Sequence, residues 1–212
     1  MPSYWAVIGD VVRSRAIADR PAFQARLEQV LGRANAAGGA DLAARWTVTL
    51  GDEFQGLYRT PHPLPAVAER ICHGLSGQAV RFGIGFGPLW TPLRPDAVGM
   101  DGPCFHRARA AVEAARRLRR TVVVQPGEDV AERVGALWNL VLVVVAARTR
   151  RQIACIDAYR AEGTQARAAA ALGVTQGTVS RELGRARFEE AASAMAHLPG
   201  LLAEAAAAAE PS

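Results

Sequence analysis

The chain has 212 residues, half of them hydrophobic, with a formal net charge of +5. That composition excludes disorder along the whole chain and gives enough apolar surface for one domain plus a small appendage. The positive charge is carried by arginine alone, since the sequence contains no lysine, and arginine pairs with phosphate through two parallel hydrogen bonds, so nucleic acid stays open as a partner.

Met1 to Trp5 has no basic region or cleavage site, so no secretory signal is expected. Tyr4 to Gly9 reads as a first strand, apolar on both faces. Arg20-Pro21 opens a helix in which Phe23, Leu27, Val30 and Leu31 recur at helical spacing, and Gly38-Gly39 ends it. Ala44 to Leu50 and Phe54 to Tyr58 read as two short strands, and Gly51-Asp52-Glu53 between them has the composition of a tight hairpin turn. A second helix is expected over Pro65 to Leu75, a glycine-punctuated strand over Ala79 to Phe86, and a helical insertion or loop between Pro88 and Pro103. Phe105 to Arg119 places Ala108, Ala111, Val112, Ala115 and Leu118 on one helical stripe, and Thr121 to Gln125 reads as a closing strand. This order predicts an α+β fold over residues 1–126, a ferredoxin-like split βαβ sheet, mixed but mainly antiparallel, with helices on one face.

Beyond Gly127 the pattern is helical only. Residues 127–147 read as a connecting helix. Its apolar run, Val134 to Ala147, is shorter than the roughly 20 residues of a membrane span, so a cytoplasmic protein with no membrane contact is expected. Residues 148–200 read as a helix-turn-helix domain and residues 201–212 as a flexible tail. Within the helical part, Thr164 is suited to cap a short helix over Ala168 to Leu172, Gly173 to supply a left-handed turn, and Thr175 to cap the next helix. Val174, Val179 and Leu183 are spaced to pack the second helix on the first. Gln176, Thr178, Ser180 and Arg181 then face outward, able to meet phosphates and base edges in a major groove, with Arg185 and Arg187 extending the basic face. The alternative is an αα-hairpin used for dimerisation. The pattern resembles the helix-turn-helix of sigma-factor region four, and because one such unit reads few base pairs, a homodimer on double-stranded DNA is the expected binding form.

The chemistry-bearing acids sit at strand ends: Asp10 after Gly9, and Asp52 with Glu53 after Gly51. Two carboxylates brought side by side repel each other unless a cation lies between them. Mg²⁺ (or Mn²⁺) suits such a pair, since it takes one or two carboxylates and completes its shell with water and phosphate oxygens. Asp10 and Asp52 are therefore the candidate metal ligands. The loop after Asp10 carries Arg13, Ser14 and Arg15, and a strand-to-helix connection there would aim N–H groups at an anion. With Gly9, Gly51 and Arg81 these form the candidate nucleotide-binding set. Their bland counterparts are a helix-capping acid, ordinary turn acids and surface arginines. His106 reads as a structural residue or a phosphate contact, and Arg116 to Arg120 as a basic run that suits the negative end of a helix dipole. Cys72, Cys104 and Cys155 lie far apart with no CxxC pair, which indicates neither a zinc site nor a disulfide framework.

The runs Ile8-Gly9-Asp10, Leu50-Gly51-Asp52-Glu53-Phe54-Gln55-Gly56, Arg81-Phe82-Gly83-Ile84-Gly85 and Asp101-Gly102-Pro103 resemble those of the SatD family over residues 4 to 125. The same stretch resembles the nucleotide-cyclase-type domain of class III cyclases and GGDEF diguanylate cyclases. The resemblance implies that Asp10 and Asp52 are the paired metal carboxylates of a site for a purine nucleotide, and that Glu53 is the acid carrying any catalysis. Three departures stand out. Trp46-Thr47-Val48-Thr49 lacks the base-selecting lysine of class III cyclases. Phe105 to Ala110 lacks their ribose-orienting asparagine and has its arginines out of register. Leu50-Gly51 replaces the Gly-Gly of diguanylate cyclases. Phosphoryl transfer depends on positioning and charge stabilisation of the transition state, so these losses favour a DNA-binding regulator that senses a Mg²⁺-nucleotide. The alternative is an active nucleotide cyclase or nucleotidyltransferase using Asp10 and Asp52.

Overall fold

β1 (Ser3–Val11) is buried on both faces and takes the centre of the sheet in the computed structural model, which describes residues 1–75, 77–126 and 129–209. After it come α1 (Arg20–Ala37), β2 (Leu42–Leu50), β3 (Glu53–Tyr58), α2 (Leu64–Gly74), β4 (Val80–Pro88), α3 (Pro103–Leu118) and β5 (Val122–Gln125). The strands run in the order β2-β3-β1-β4-β5. All neighbours are antiparallel except β4 and β5, which are parallel. The stretch between Pro88 and Pro103 contains no helix and touches the sheet through a bridge between Arg45 and Asp96.

Helices cover both faces of this sheet, rather than the one face expected from the element order. Trp5, Val7, Phe54, Phe82 and Ile84 point toward α1 and α2, whereas Tyr4, Ala6, Ile8 and Leu57 point toward α3. The cause is visible in β1 itself: a strand apolar at every position exposes hydrophobic surface on whichever face is left bare. α3 comes in unusually close because β4 presents glycine to it. A Cβ on Gly83 would stand 2.3 Å from the Ala108 carbonyl oxygen and the Val112 nitrogen, and one on Gly85 only 2.2 Å from the Cys104 carbonyl oxygen. Glycine within a strand marks such backbone approach.

The helical remainder comprises α4 (Asp129–Ala146), α5 (Arg150–Glu162), α6 (Gln165–Leu172), α7 (Gln176–Arg185) and α8 (Phe188–Ala208). α4 is no free-standing connector: Val134, Trp138, Val141, Leu142 and Val145 are buried in the same core as α1 and α2. Residues 201–208 differ from the expected flexible tail, since they complete α8 and bury Leu202, Ala205 and Ala206 in that core beside Leu198 and Met195. α8 continues through Pro199. Interior proline costs a helix about 3 kcal/mol, and the buried apolar stripe around it offsets that loss. The remaining tail residues, Glu210 to Ser212, and the first two of the expected connector, Gly127 and Glu128, lie outside the described residues. Among the described residues, no single helix is long and apolar enough to cross a membrane.

The two parts are joined by a buried charge cluster that spacing did not suggest. Glu69 of α2 is fully buried; it accepts from Arg148 Nη1 and, at 2.7 Å, from Arg160 Nη2. The Arg148 side chain is only 1% exposed, and its Nε donates to the Ala186 carbonyl at 3.0 Å, the residue that ends α7. Thus one guanidinium holds the sheet layer and the helix of the second unit together.

Candidate functional site

Register places the acids. Asp10 of β1 lies directly opposite Glu53 on one side and Arg81 on the other, and opposed residues of antiparallel strands share a face. Asp10 follows Ile8 on the face covered by α3, so charge from that helix meets it. Arg109 and Arg116 stand seven residues apart, two helical turns, and so project from one side of α3. Arg116 Nη2 lies 3.3 Å from both Asp10 oxygens, and Arg81 Nη1 3.3 Å from one of them. Arg109 grips Glu53 with both terminal nitrogens, one at 2.6 Å, and Thr49 donates to the same carboxylate at 3.0 Å. The guanidinium of Arg109 holds the Glu53 carboxyl below its ordinary range, despite burial that pushes the other way.

Asp52 lies in the turn beside them. Its backbone oxygen accepts from the Val11 N–H at 3.3 Å, and its carboxylate accepts from the buried hydroxyl of Ser14. Gly51 before it has φ +60, a left-handed conformation that disfavours other residues. The sheet end thus gathers Asp10, Asp52 and Glu53 with Ser14, Arg81, Arg109 and Arg116. Among the described residues, no group of three His, Cys, Asp or Glu could enclose a metal ion. Asp10 is 7% exposed and Arg116 69%, so the inner carboxylate is fixed while one of its partners can swing into solvent.

Several expected residues take other places. Glu53 is the first residue of β3, not a turn residue, and its pairing with Arg109 leaves no lone acid there. Gly9 faces the ring of Phe54, which would stand 2.3 Å from a Cβ; packing within the sheet explains this glycine. The loop after β1 folds as a short 3-10 turn over Ser14–Ala16. Val12 N–H donates to Ala79, Ala16 N–H to Arg13 and Ile17 N–H to Ser14, so three donors are retired within the fold. Arg13 and Arg15 are exposed. Arg20, absent from the expected set, donates to the Ser14 carbonyl at 2.9 Å. His106 lies 2.6 Å from Asp101 and packs edge-on against Trp90, away from the acids.

α6 and α7 are joined by Gly173-Val174-Thr175. Gly173 is left-handed at φ +65, and Thr164 and Thr175 accept from the N–H groups of Arg167 and Thr178. Val179 and Leu183 are buried with Ala168, Ala169 and Ile156. Val174 is 37% exposed, contrary to its expected packing role, because the turn carries it outside the helix pair. Gln176, Ser180, Arg181 and Arg185 are exposed and Thr178 is partly so. Arg185 has a weak partner in Glu182 at 3.4 Å.

Against known families, the SatD family model matches residues 4–118. The chain belongs to the SatD family. The SatD match runs from β1 to the end of α3, so it includes every acid and arginine of the sheet-end cluster and stops before β5 and the helical unit. Among solved structures, a dimeric guanylyl cyclase domain of the RhoGC fusion protein from the aquatic fungus Blastocladiella emersonii is similar at 17% identity over 53% of this chain and 74% of that one, with a TM-score of 0.36. No curated protein matches the chain.

Proposed function

We propose that this SatD protein is a DNA-binding regulator, in which a ferredoxin-like sheet unit reads a purine nucleotide carried with Mg²⁺ and a helix-turn-helix reads DNA. The observation that carries this reading is the row Arg81, Asp10, Glu53 across β4, β1 and β3, with Asp52 at its edge and Arg109 and Arg116 above it.

The donor set suits a metal that arrives with its ligand. Asp10 and Asp52 supply the two carboxylates such an ion takes, and phosphate and water complete its shell. When bound, such an ion would supply positive charge against the phosphates. Arg81 and Arg116 hold Asp10 at 3.3 Å, at the long end of hydrogen bonding. Both are cations that a phosphate could pair with, while Asp10 and Asp52 would hold the ion. Glu53 is already held on both oxygens, which argues against its acting as a proton acceptor and favours a reader over a cyclase.

For DNA, support comes from the capped α7, whose Gln176, Ser180, Arg181 and Arg185 stand clear of the packed side formed by Val179 and Leu183. Single units of this kind read few base pairs, so the DNA-bound form is a homodimer. The test of the reading uses ATP and GTP with Mg²⁺. Metal-dependent thermal stabilisation that is lost in Asp52→Ala, with no cyclic or oligonucleotide product, is the expected result. Product formed by the wild type and lost in Asp52→Ala would overturn the reader in favour of an enzyme.

A further inference from the structure

A second feature lies on the far side of Arg81. A cleft of about 770 Å³ opens between the loop after β1, the segment leading into β4 and the connection from α3 to β5. Four arginines line it, Arg13, Arg81, Arg119 and Arg120, and none of the described lining residues is acidic. Arg81 reaches Asp10, and Arg120 reaches Glu132 at 3.8 Å; Arg13 and Arg119 have no ion pair among the described residues. Both of the latter are left-handed, with φ 56 and 55, uncommon for arginine; at Arg119 this is the αL cap that ends α3.

The cleft borders a second cavity, and Gly77, Gln78, Ala79, Val80 and Thr121 line both. This chamber of about 300 Å³ is further lined by Leu142, Val145, Ile153 and Arg148. Although the Arg148 side chain is 1% exposed, its Nη2 has no hydrogen-bond partner among the described residues. A buried guanidinium nitrogen left without an acceptor is costly. Cys72 and His73 share this wall; burial pushes the Cys72 thiol up to about 12 and the His73 imidazole down to about 4, so at neutral pH both are uncharged and leave Arg148 as the cation there.

We propose that cleft and chamber form one binding site for a nucleotide, its phosphates on Arg13, Arg81, Arg119 and Arg120 and its base in the chamber, where a base acceptor atom accepts a hydrogen bond from Arg148 Nη2. The chemistry of the two halves differs in the way the two halves of a nucleotide differ. Because the same guanidinium holds the Ala186 carbonyl at the end of α7, occupancy bears directly on the helix that faces DNA. This assignment rests only on the nucleotide-reading function proposed above; it seats the ligand in the cleft instead of on Asp10 and Asp52, and gives it a route to α7.

The test is calorimetric titration of the full chain with inorganic pyrophosphate in the absence of metal, and with ATP and GTP with and without Mg²⁺. Pyrophosphate is expected to bind without metal. Arg13→Asn with Arg119→Asn, which the left-handed backbone tolerates, should weaken it at least tenfold. Nucleotide should bind at least tenfold tighter than pyrophosphate, and that margin should vanish in Arg148→Lys. Since Arg148 also supports the fold, Gln78→Trp, which fills the chamber mouth, provides an independent check with the same expected loss. Unchanged affinity in the double arginine variant overturns the phosphate seat, and a nucleotide no tighter than pyrophosphate overturns the chamber. If Asp52→Ala alone abolishes nucleotide binding, the metal reader stands and this site falls. If only the cleft variants do so, the site stands and the metal fails, and absence of all binding removes both.

Discussion

Replacing Glu69 with Gln probes the joint between the two units. Glu69 is fully buried and answers two arginines, one of them with a side chain 1% exposed. Glutamine keeps the shape and one acceptor oxygen but removes the charge, which strands Arg148 as a buried cation; removing one partner of such a pair costs about 3–5 kcal/mol. In a chain of this size each kcal/mol lowers Tm by about 2–4 °C, so the expected drop is about 6–20 °C. Circular dichroism at 222 nm during heating reads it directly. Asp96→Asn serves as the control, because its pair with Arg45 is solvent-exposed at 48% and 59% and such surface pairs contribute about 0–1 kcal/mol. A Glu69→Gln variant that melts within the range of the control would refute the reasoning, since the cluster would then be solvated and unable to tie the units together.

Gly83→Ala should lower stability by at least about 2 kcal/mol in urea unfolding, because the added methyl meets α3 backbone atoms that cannot turn aside; a loss below about 0.5 kcal/mol would mean that α3 is not seated on β4. Stability should also fall with acid. The unfolded chain protonates His73 as pH drops through its ordinary 6.5, whereas burial keeps the folded imidazole neutral until about 4. His73 thus favours the folded state fully above pH 6.5, and this contribution is lost between pH 6.5 and 4. The carboxyl of Glu53, held low by Arg109, adds a loss below 4.5. The urea midpoint should be lower at pH 5 than at pH 7, and His73→Gln should flatten that change; an equal slope in the variant would remove His73 as its source. Arg181→Ala should weaken binding to a selected DNA site by about 1–3 kcal/mol if this arginine reads a base, and an unchanged isotherm would remove it from the interface.

The local signals in the sequence were strong where physics is local. Thr164, Gly173 and Thr175 punctuate the chain as caps and a left-handed turn, and the structure uses each in that way. Both acid-glycine runs end up at one sheet end because β1 and β3 are neighbours. What the pattern hid depends on distance along the chain. The pairing of Arg109 and Arg116 with Glu53 and Asp10 spans 56 and 106 residues, and no periodicity reports it. Arg148 opens the run Arg148-Thr149-Arg150-Arg151 at the boundary between the expected connecting helix and the helical domain, yet its side chain is only 1% exposed. Alanine near the C-terminus suggests fraying, whereas Leu198, Leu202 and Ala205 repeat at helical spacing and bury against the core. β1 announced a two-faced burial that the element order alone obscured.

The most direct measurement is the affinity of the full chain for a selected DNA site, by fluorescence anisotropy, with and without saturating ATP or GTP and Mg²⁺, in wild type and Asp52→Ala. Coupling between two sites of one protein is commonly worth about 1–3 kcal/mol, or about 5- to 150-fold in affinity. A nucleotide-dependent shift of that size in the wild type, lost in Asp52→Ala, is the predicted result. Identical DNA affinity with and without nucleotide, in a protein that binds both, would contradict the account.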